Sequence, residues 1–110
     1  MSKKEILKTK QIIQKLFLSK NLRLDNIVIY GSSIKKLQNP DSDIDIMVIS
    51  KDLRNKDIFE KIQLTRGIHR ELVRQIKKPI DILYYSDKEW NNNSSLIVNI
   101  AKNEGFSLLK

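Results

Sequence analysis

Apolar positions recur along the chain with two different periods. Over residues 3–20, Ile6, Ile13, Leu16 and Phe17 fall on one side of a 3.6-residue wheel with Ile12 beside them, while lysines fill much of the rest. That spacing predicts an amphipathic helix. The period then shortens. "NIVIY" and "DIDIMVIS" are runs of β-branched and aliphatic residues and predict strands over 27–30 and 43–50. Helical spacing returns with Ile58, Phe59, Ile62, Leu72, Val73 and Ile76, predicting one helix over 58–76. Asp57, three residues before Glu60, is placed to open it as a capping box. Pro79 ends it and starts a third strand, "PIDILYY". Ser86 and Glu89 form a second candidate box, and "NNNSS" interrupts the helix that follows, which resumes over about 95–103. Gly105 sits where a helix C-terminal cap belongs, and "FSLL" adds a short strand. The order helix, strand, strand, helix, strand, helix describes one α/β (α+β) domain spanning residues 1–110.

Composition changes this picture little. The chain has 110 residues, 40% of them hydrophobic, enough for a modest core. It has no cysteine, which excludes disulfides, thiol nucleophiles and cysteine-ligated metals. No apolar run reaches the length of a membrane span, and no secretion signal is visible, so a cytoplasmic location is expected. The net charge of +8 is concentrated early: residues 1–40 hold nine Lys/Arg against two Asp/Glu. A solvated lysine-rich surface accounts for this better than a dedicated nucleic-acid patch.

The chemistry gathers in "YGSSIKKLQNPDSDIDIMV", where Asp41, Asp43 and Asp45 fall within five residues. In a strand, residues i and i+2 share a face. Asp43 and Asp45 therefore project together, while Ile44, Ile46 and Val48 face the core. Two adjacent carboxylates repel each other, and a divalent cation removes that conflict. The alternative is a pair of solvent-facing acids on an edge strand. Upstream, Gly31 follows a strand directly, where the missing Cβ allows a sharp turn and close approach of a phosphate. Ser32 and Ser33 add hydroxyls and backbone N–H groups. The segment is not a P-loop, because the second glycine and the Lys-Ser/Thr ending are absent. Asp81, flanked by isoleucines in "PIDILYY", supplies a third acid.

Taken jointly, these motifs resemble the DNA polymerase β-like nucleotidyltransferase superfamily, and in a chain this short the minimal nucleotidyltransferase (MNT) family. The resemblance runs from Ile27 to the C-terminus, where "IAKNEGFSLL" is similar to the closing helix, glycine and short strand. It implies a small mixed β-sheet with helices packed mainly on one face. It also implies that Gly31, Ser32 and Ser33 hold nucleotide phosphates, and that Asp43, Asp45 and Asp81 form a catalytic, metal-binding set for magnesium, two ions in all. The chemistry implied is AMP transfer from ATP. Ile34, Lys35 and Lys36 depart from the usual Ala-Arg-Gly continuation of the motif. Lys35 keeps the charge without the guanidinium fork.

Minimal nucleotidyltransferases often act as antitoxins that neutralise a HEPN-domain ribonuclease by adding AMP to a tyrosine. The resemblance therefore implies a HEPN toxin as partner and its tyrosine hydroxyl as acceptor, in a homo- or hetero-oligomer. A non-catalytic binding module and transfer to a small-molecule hydroxyl are the other readings. The remaining conspicuous residues read as structural: His69 as a hydrogen-bonded boundary residue, Trp90, Tyr84 and Tyr85 as packing or interface residues, and Arg66, Arg70 and Arg74 as a basic stripe.

Overall fold

A computed structural model describes residues 2–31, 44–93 and 95–109. The expected capping signals set the helix starts. Helix α1 (Lys3–Ser19) begins at Ser2, whose hydroxyl accepts from the Glu5 N–H while Glu5 accepts from the Ser2 N–H. Asp57 and Glu60 exchange the same pair of bonds at the start of α2 (Ile58–Leu64). Ser86 and Glu89 do so at α4 (Asp87–Asn91). Each box satisfies N–H groups that a helix start leaves without partners. Ser95 caps α5 (Leu96–Glu104) by accepting from the Val98 N–H.

The single helix expected over 58–76 is two helices, α2 and α3 (Ile68–Ile76). The break is at Gly67, whose φ of +89° lies in the left-handed region. A residue there cannot continue a right-handed helix, and glycine adopts the conformation at least cost. The consequence for packing is large. Ile68, Leu72 and Ile76 of α3 are buried, whereas α2 buries no residue and leaves Ile58, Phe59 and Ile62 exposed.

Four strands form one mixed sheet: β1 (Asn26–Tyr30), β2 (Ile44–Ile49), β3 (Ile80–Tyr85) and β4 (Phe106–Ser107). Their spatial order is β3-β2-β1-β4. β1 runs antiparallel to β2 and β4, while β3 runs parallel to β2. The parallel pair needs a crossover, which α2 and α3 supply. Alternation sorts the side chains of β2 into two clusters. Ile44, Ile46 and Val48 join Ile27 and Ile80 beneath α1 and α3, with Ile13, Phe17 and Leu72. Met47 and Ile49 join Val28 and Tyr30 on the other face, against Val98 and Ala101 of α5. The larger cluster lies on the α1–α3 face, which carries most of the core.

Gly105 follows α5 with ordinary extended dihedrals, not the left-handed ones of a glycine cap. Its requirement is space. A Cβ at that position would stand 2.1 Å from Ala101 O and 2.6 Å from Val28 Cγ1. At Gly67, by contrast, a Cβ would meet nothing within 4 Å. Gly67→Ala therefore costs only the left-handed backbone conformation, about 1–2 kcal/mol. Gly105→Ala forces backbone and Val28 apart, at about 1–3 kcal/mol for the overpacking alone, and opens the α5–β1 contact. Urea unfolding of the two variants checks this: the Gly105 variant loses near-ultraviolet tertiary signal around Trp90, and the Gly67 variant keeps it.

Candidate functional site

The strand register brings three polar side chains into one row. Tyr30 pairs with Asp45 across β1 and β2, and Asp45 pairs with Asp81 across β2 and β3. Positions paired across neighbouring strands point to the same face. Tyr30, Asp45 and Asp81 therefore share the face that carries Met47 and Leu83, at the end of the sheet away from Ile49 and Tyr85. Asp45 is half-buried and Asp81 exposed, so the row opens outward from a closed end at Tyr30, which is 6% exposed.

β2 is an interior strand, flanked on both sides. Asp45 is thus no edge-strand acid turned to solvent. It stands one pleat away from Ile44 and Ile46, both buried. Asp81 lies on β3, at the sheet's edge. Of the six site residues expected from the sequence, the structure brings together Gly31, Asp45 and Asp81. Ser32, Ser33 and Asp43 lie outside the described residues, as do Asp41 and the Ile34, Lys35 and Lys36 departure.

Gly31 has a role beyond ending β1. Its φ is +67°, and a Cβ built on it would lie 2.7 Å from Asp45 Oδ2. The Asp45 carboxylate occupies the space that any other side chain at position 31 would need. The turn and the carboxylate are thereby coupled sterically. The sequence supplied the two residues separately; only the antiparallel register, which sets Tyr30 opposite Asp45, makes them neighbours.

Tyr30 is the residue that the sequence reading passed over. Burial, with the nearby carboxylate of Asp45, the Tyr85 phenolic oxygen when ionised, and the carboxylate of Asp81 adding to it, pushes its hydroxyl up to about 12. It stays protonated at neutral pH, a neutral O–H group beside two carboxylates. The signal available in the sequence was its place immediately before Gly31, but a tyrosine ending a strand has too many uses to stand out.

Among the described residues, no group of three or more potential ligands of the histidine, cysteine or carboxylate kind could hold a metal ion. Two carboxylates in register, with Gly31 leaving room for one of them, are hard oxygen donors. They suit magnesium, which accepts a few carboxylates and completes its shell with water and phosphate oxygens. The donor chemistry therefore fits the ion that the resemblance implies.

The nucleotidyltransferase domain family matches residues 6–105. The chain belongs to that family. Among curated protein sequences, none matches this chain. Solved structures share its fold. One is a toxin–antitoxin complex with AMP-PNP, 22% identical, covering 88% of this chain and 69% of that chain at a TM-score of 0.59. A mutant of the MntA–HpeT toxin–antitoxin is 23% identical over 90% of this chain and 70% of that one, at 0.56. A tri-AMPylated Shewanella oneidensis HEPN toxin in complex with MNT antitoxin is 19% identical, covering 93% and 70% at 0.52. The nucleotidyltransferase domain, with its small mixed sheet, is as the opening motifs implied.

Two measurements probe the row. In a Tyr84→Phe background, which removes a second hydroxyl that burial holds at about 12, ultraviolet titration shows Tyr30 ionising well above 10. Asp45→Asn moves that step down but not to 10, because burial is its larger cause. The sign for stability follows: a raised tyrosine pKa contributes fully below pH 10 and is lost as pH rises through about 12. Alkaline unfolding of the Tyr84→Phe protein therefore begins above pH 10, and later in Tyr30→Phe. Second, Gly31→Ala destabilises by about 1–2 kcal/mol for its left-handed backbone alone, plus the clash with Asp45. In a double-mutant cycle with Asp45→Ala the clash disappears, leaving a coupling of about 0.5–3 kcal/mol by urea unfolding.

Proposed function

We propose that this chain is a magnesium-dependent nucleotidyltransferase, an antitoxin that transfers AMP from ATP to a tyrosine hydroxyl of a cognate HEPN ribonuclease toxin. The observation that carries the reading is the in-register pair Asp45 and Asp81 with Gly31 packed on Asp45. Support for the nucleotide comes from the AMP-PNP in one complex of like fold, and for the acceptor from the AMPylated HEPN toxin in another. On this reading residues 1–110 act as a single nucleotidyltransferase domain and work in the cytoplasm.

Asp43, Asp45 and Asp81 would hold magnesium. Asp43 enters on the sequence alone, as the acid two positions before Asp45. Bound there, magnesium supplies charge neutralisation at the phosphates and lowers the pKa of the acceptor hydroxyl. Gly31, Ser32 and Ser33 would hold the triphosphate, as the resemblance implies, by hydroxyls and backbone N–H groups. The acceptor oxygen attacks the α-phosphorus in line. The bond from that phosphorus to the bridging oxygen breaks, and pyrophosphate leaves with the electron pair. Asp81, the exposed end of the row, takes the proton of the acceptor hydroxyl. Tyr30, neutral at working pH, closes the other end and keeps Asp45 from facing a second buried charge. The chain's part is positioning and electrostatics, as in phosphoryl transfer generally.

The test is intact mass spectrometry of the HEPN partner after incubation with this protein, magnesium and ATP. Added AMP appears with the wild type. It is lost with Asp45→Asn, and with Asp81→Asn the loss falls on turnover more than on ATP binding. Full neutralisation of the toxin without a mass change, unaltered by Asp45→Asn, would instead assign the chain to the non-catalytic binding class.

A further inference from the structure

β3, the outermost strand among the described residues, borders a cleft of about 460 Å³ that the row of acids does not use. Ile58 and Ile62 of α2 form one wall, Arg66 and Gly67 the end, and the β3 stretch from Ile82 to Tyr85 the floor. Ile58 and Ile62 are 64% and 58% exposed, and Phe59, beside them, is 75% exposed. A helix that buries none of its residues while exposing three large apolar ones is a poor contributor to its own fold. Contiguous apolar exposure of this kind marks an interaction surface.

The floor shows what kind of segment fits. In β3 the carbonyls of Ile80 and Tyr84 turn away from β2, where an added strand would bond. Both are already taken. His69 Nε2 donates to Ile80 O at 2.6 Å, and Lys61 Nζ donates to Tyr84 O at 3.0 Å. Lys61 is further held by Glu89 at 2.9 Å and lies 5.0 Å from the centre of the Tyr85 ring. A strand pairing along the length of β3 would meet both contacts, with only Ile82 between them. The groove is therefore shaped for side-chain docking, as an amphipathic helix docks by residues at i, i+3 or i+4.

Charge narrows the occupant further. Among the described residues no Asp or Glu lines the cleft and no carboxylate pairs with Arg66. With a net charge of +8, a second copy of this chain meets long-range repulsion that an acidic partner does not. We infer that the α2–β3 cleft is a docking groove for an acidic amphipathic helix of another protein, its apolar side chains on Ile58 and Ile62 and a carboxylate on Arg66.

A direct test uses the full chain and three fluorescein-labelled helical peptides, so it needs neither catalysis nor the toxin. One peptide has a leucine stripe on a glutamate background, one the same stripe on lysine, and one serine in place of leucine on glutamate. Fluorescence anisotropy is expected to give the leucine–glutamate peptide roughly tenfold or greater preference over both others, about 1.4 kcal/mol. Ile62→Asp and Arg66→Glu each remove that preference, with circular dichroism unchanged because both positions are solvent-facing. Ile58→Ser is the milder second variant. Equal binding of the glutamate and lysine peptides, or binding indifferent to all three substitutions, overturns the inference. So does self-association in sedimentation velocity that Ile62→Asp abolishes, which would give the groove to a second copy. So too does a single-stranded RNA oligonucleotide whose binding Ile62→Asp removes.

Discussion

The pleat of β2 is the constraint on which the rest depends. The strand lies between β1 and β3, and its two faces meet different environments. Ile44, Ile46 and Val48 are needed beneath α1 and α3, so Asp45 has to project on the other side. A slip of one residue would carry every side chain of the strand across the sheet. It would drive Asp45 into the apolar cluster beside Phe17 and Leu72, an unpaired buried charge that the fold could not tolerate. The hydrophobic pattern thus fixes the register, and the register fixes the row Tyr30–Asp45–Asp81. The position of the acids is set by the isoleucines between them.

That arrangement also explains the electrostatic layout. Like charges on neighbouring strands are unfavourable where the dielectric is low. Asp45 and Asp81 are directly paired, but the second is exposed, and water screens it. The buried end of the row is given to Tyr30, which carries no charge below alkaline pH. The gradient from buried neutral to half-buried and exposed acid keeps two carboxylates close without burying both. A site of this kind sacrifices some stability, which the aliphatic cluster on the opposite face of the same strands supplies.

Much of the scaffold was legible because its signals are local. A capping box joins residues three apart, so Asp57–Glu60 and Ser86–Glu89 could be read without any tertiary information, and both are formed. The strand alternation that placed Ile44 and Ile46 opposite Asp45 is equally local. What the sequence hid was relational. Ile58, Phe59 and Ile62 continue a helical apolar pattern through to Leu72 and Ile76, so the pattern predicted a single buried face. Periodicity records that a helix has an apolar side and is silent on what covers it. Gly67 was the overlooked signal: a lone glycine is tolerated inside many helices, and only its left-handed φ shows that the chain turns there. In the site, Asp45 and Asp81 could be paired in expectation as acids of two core strands. The contact between Gly31 and Asp45 could not, since it depends on how β1 meets β2.

The break at Gly67 lies beside the edge of the sheet. An edge strand invites pairing with other chains, and β3 is such an edge among the described residues. Lys61 from α2 and His69 from α3 both reach β3, at carbonyls four residues apart along it. One continuous helix would keep 61 and 69 on a rigid rod, eight residues or about 12 Å apart. Tyr84 O and Ile80 O are separated along an extended strand by about 13 Å, so distance alone does not demand the break. Nor does azimuth: on an unbroken helix residues eight apart differ by about 80°, which is within the width of one helix face. What coincides with the break is burial: α3 beyond Gly67 buries Ile68, Leu72 and Ile76, whereas α2 before it leaves Ile58 and Ile62 exposed. The exposed apolar wall thus goes with the turn at Gly67, while the cover over the edge rests on the reach of Lys61 and His69 themselves.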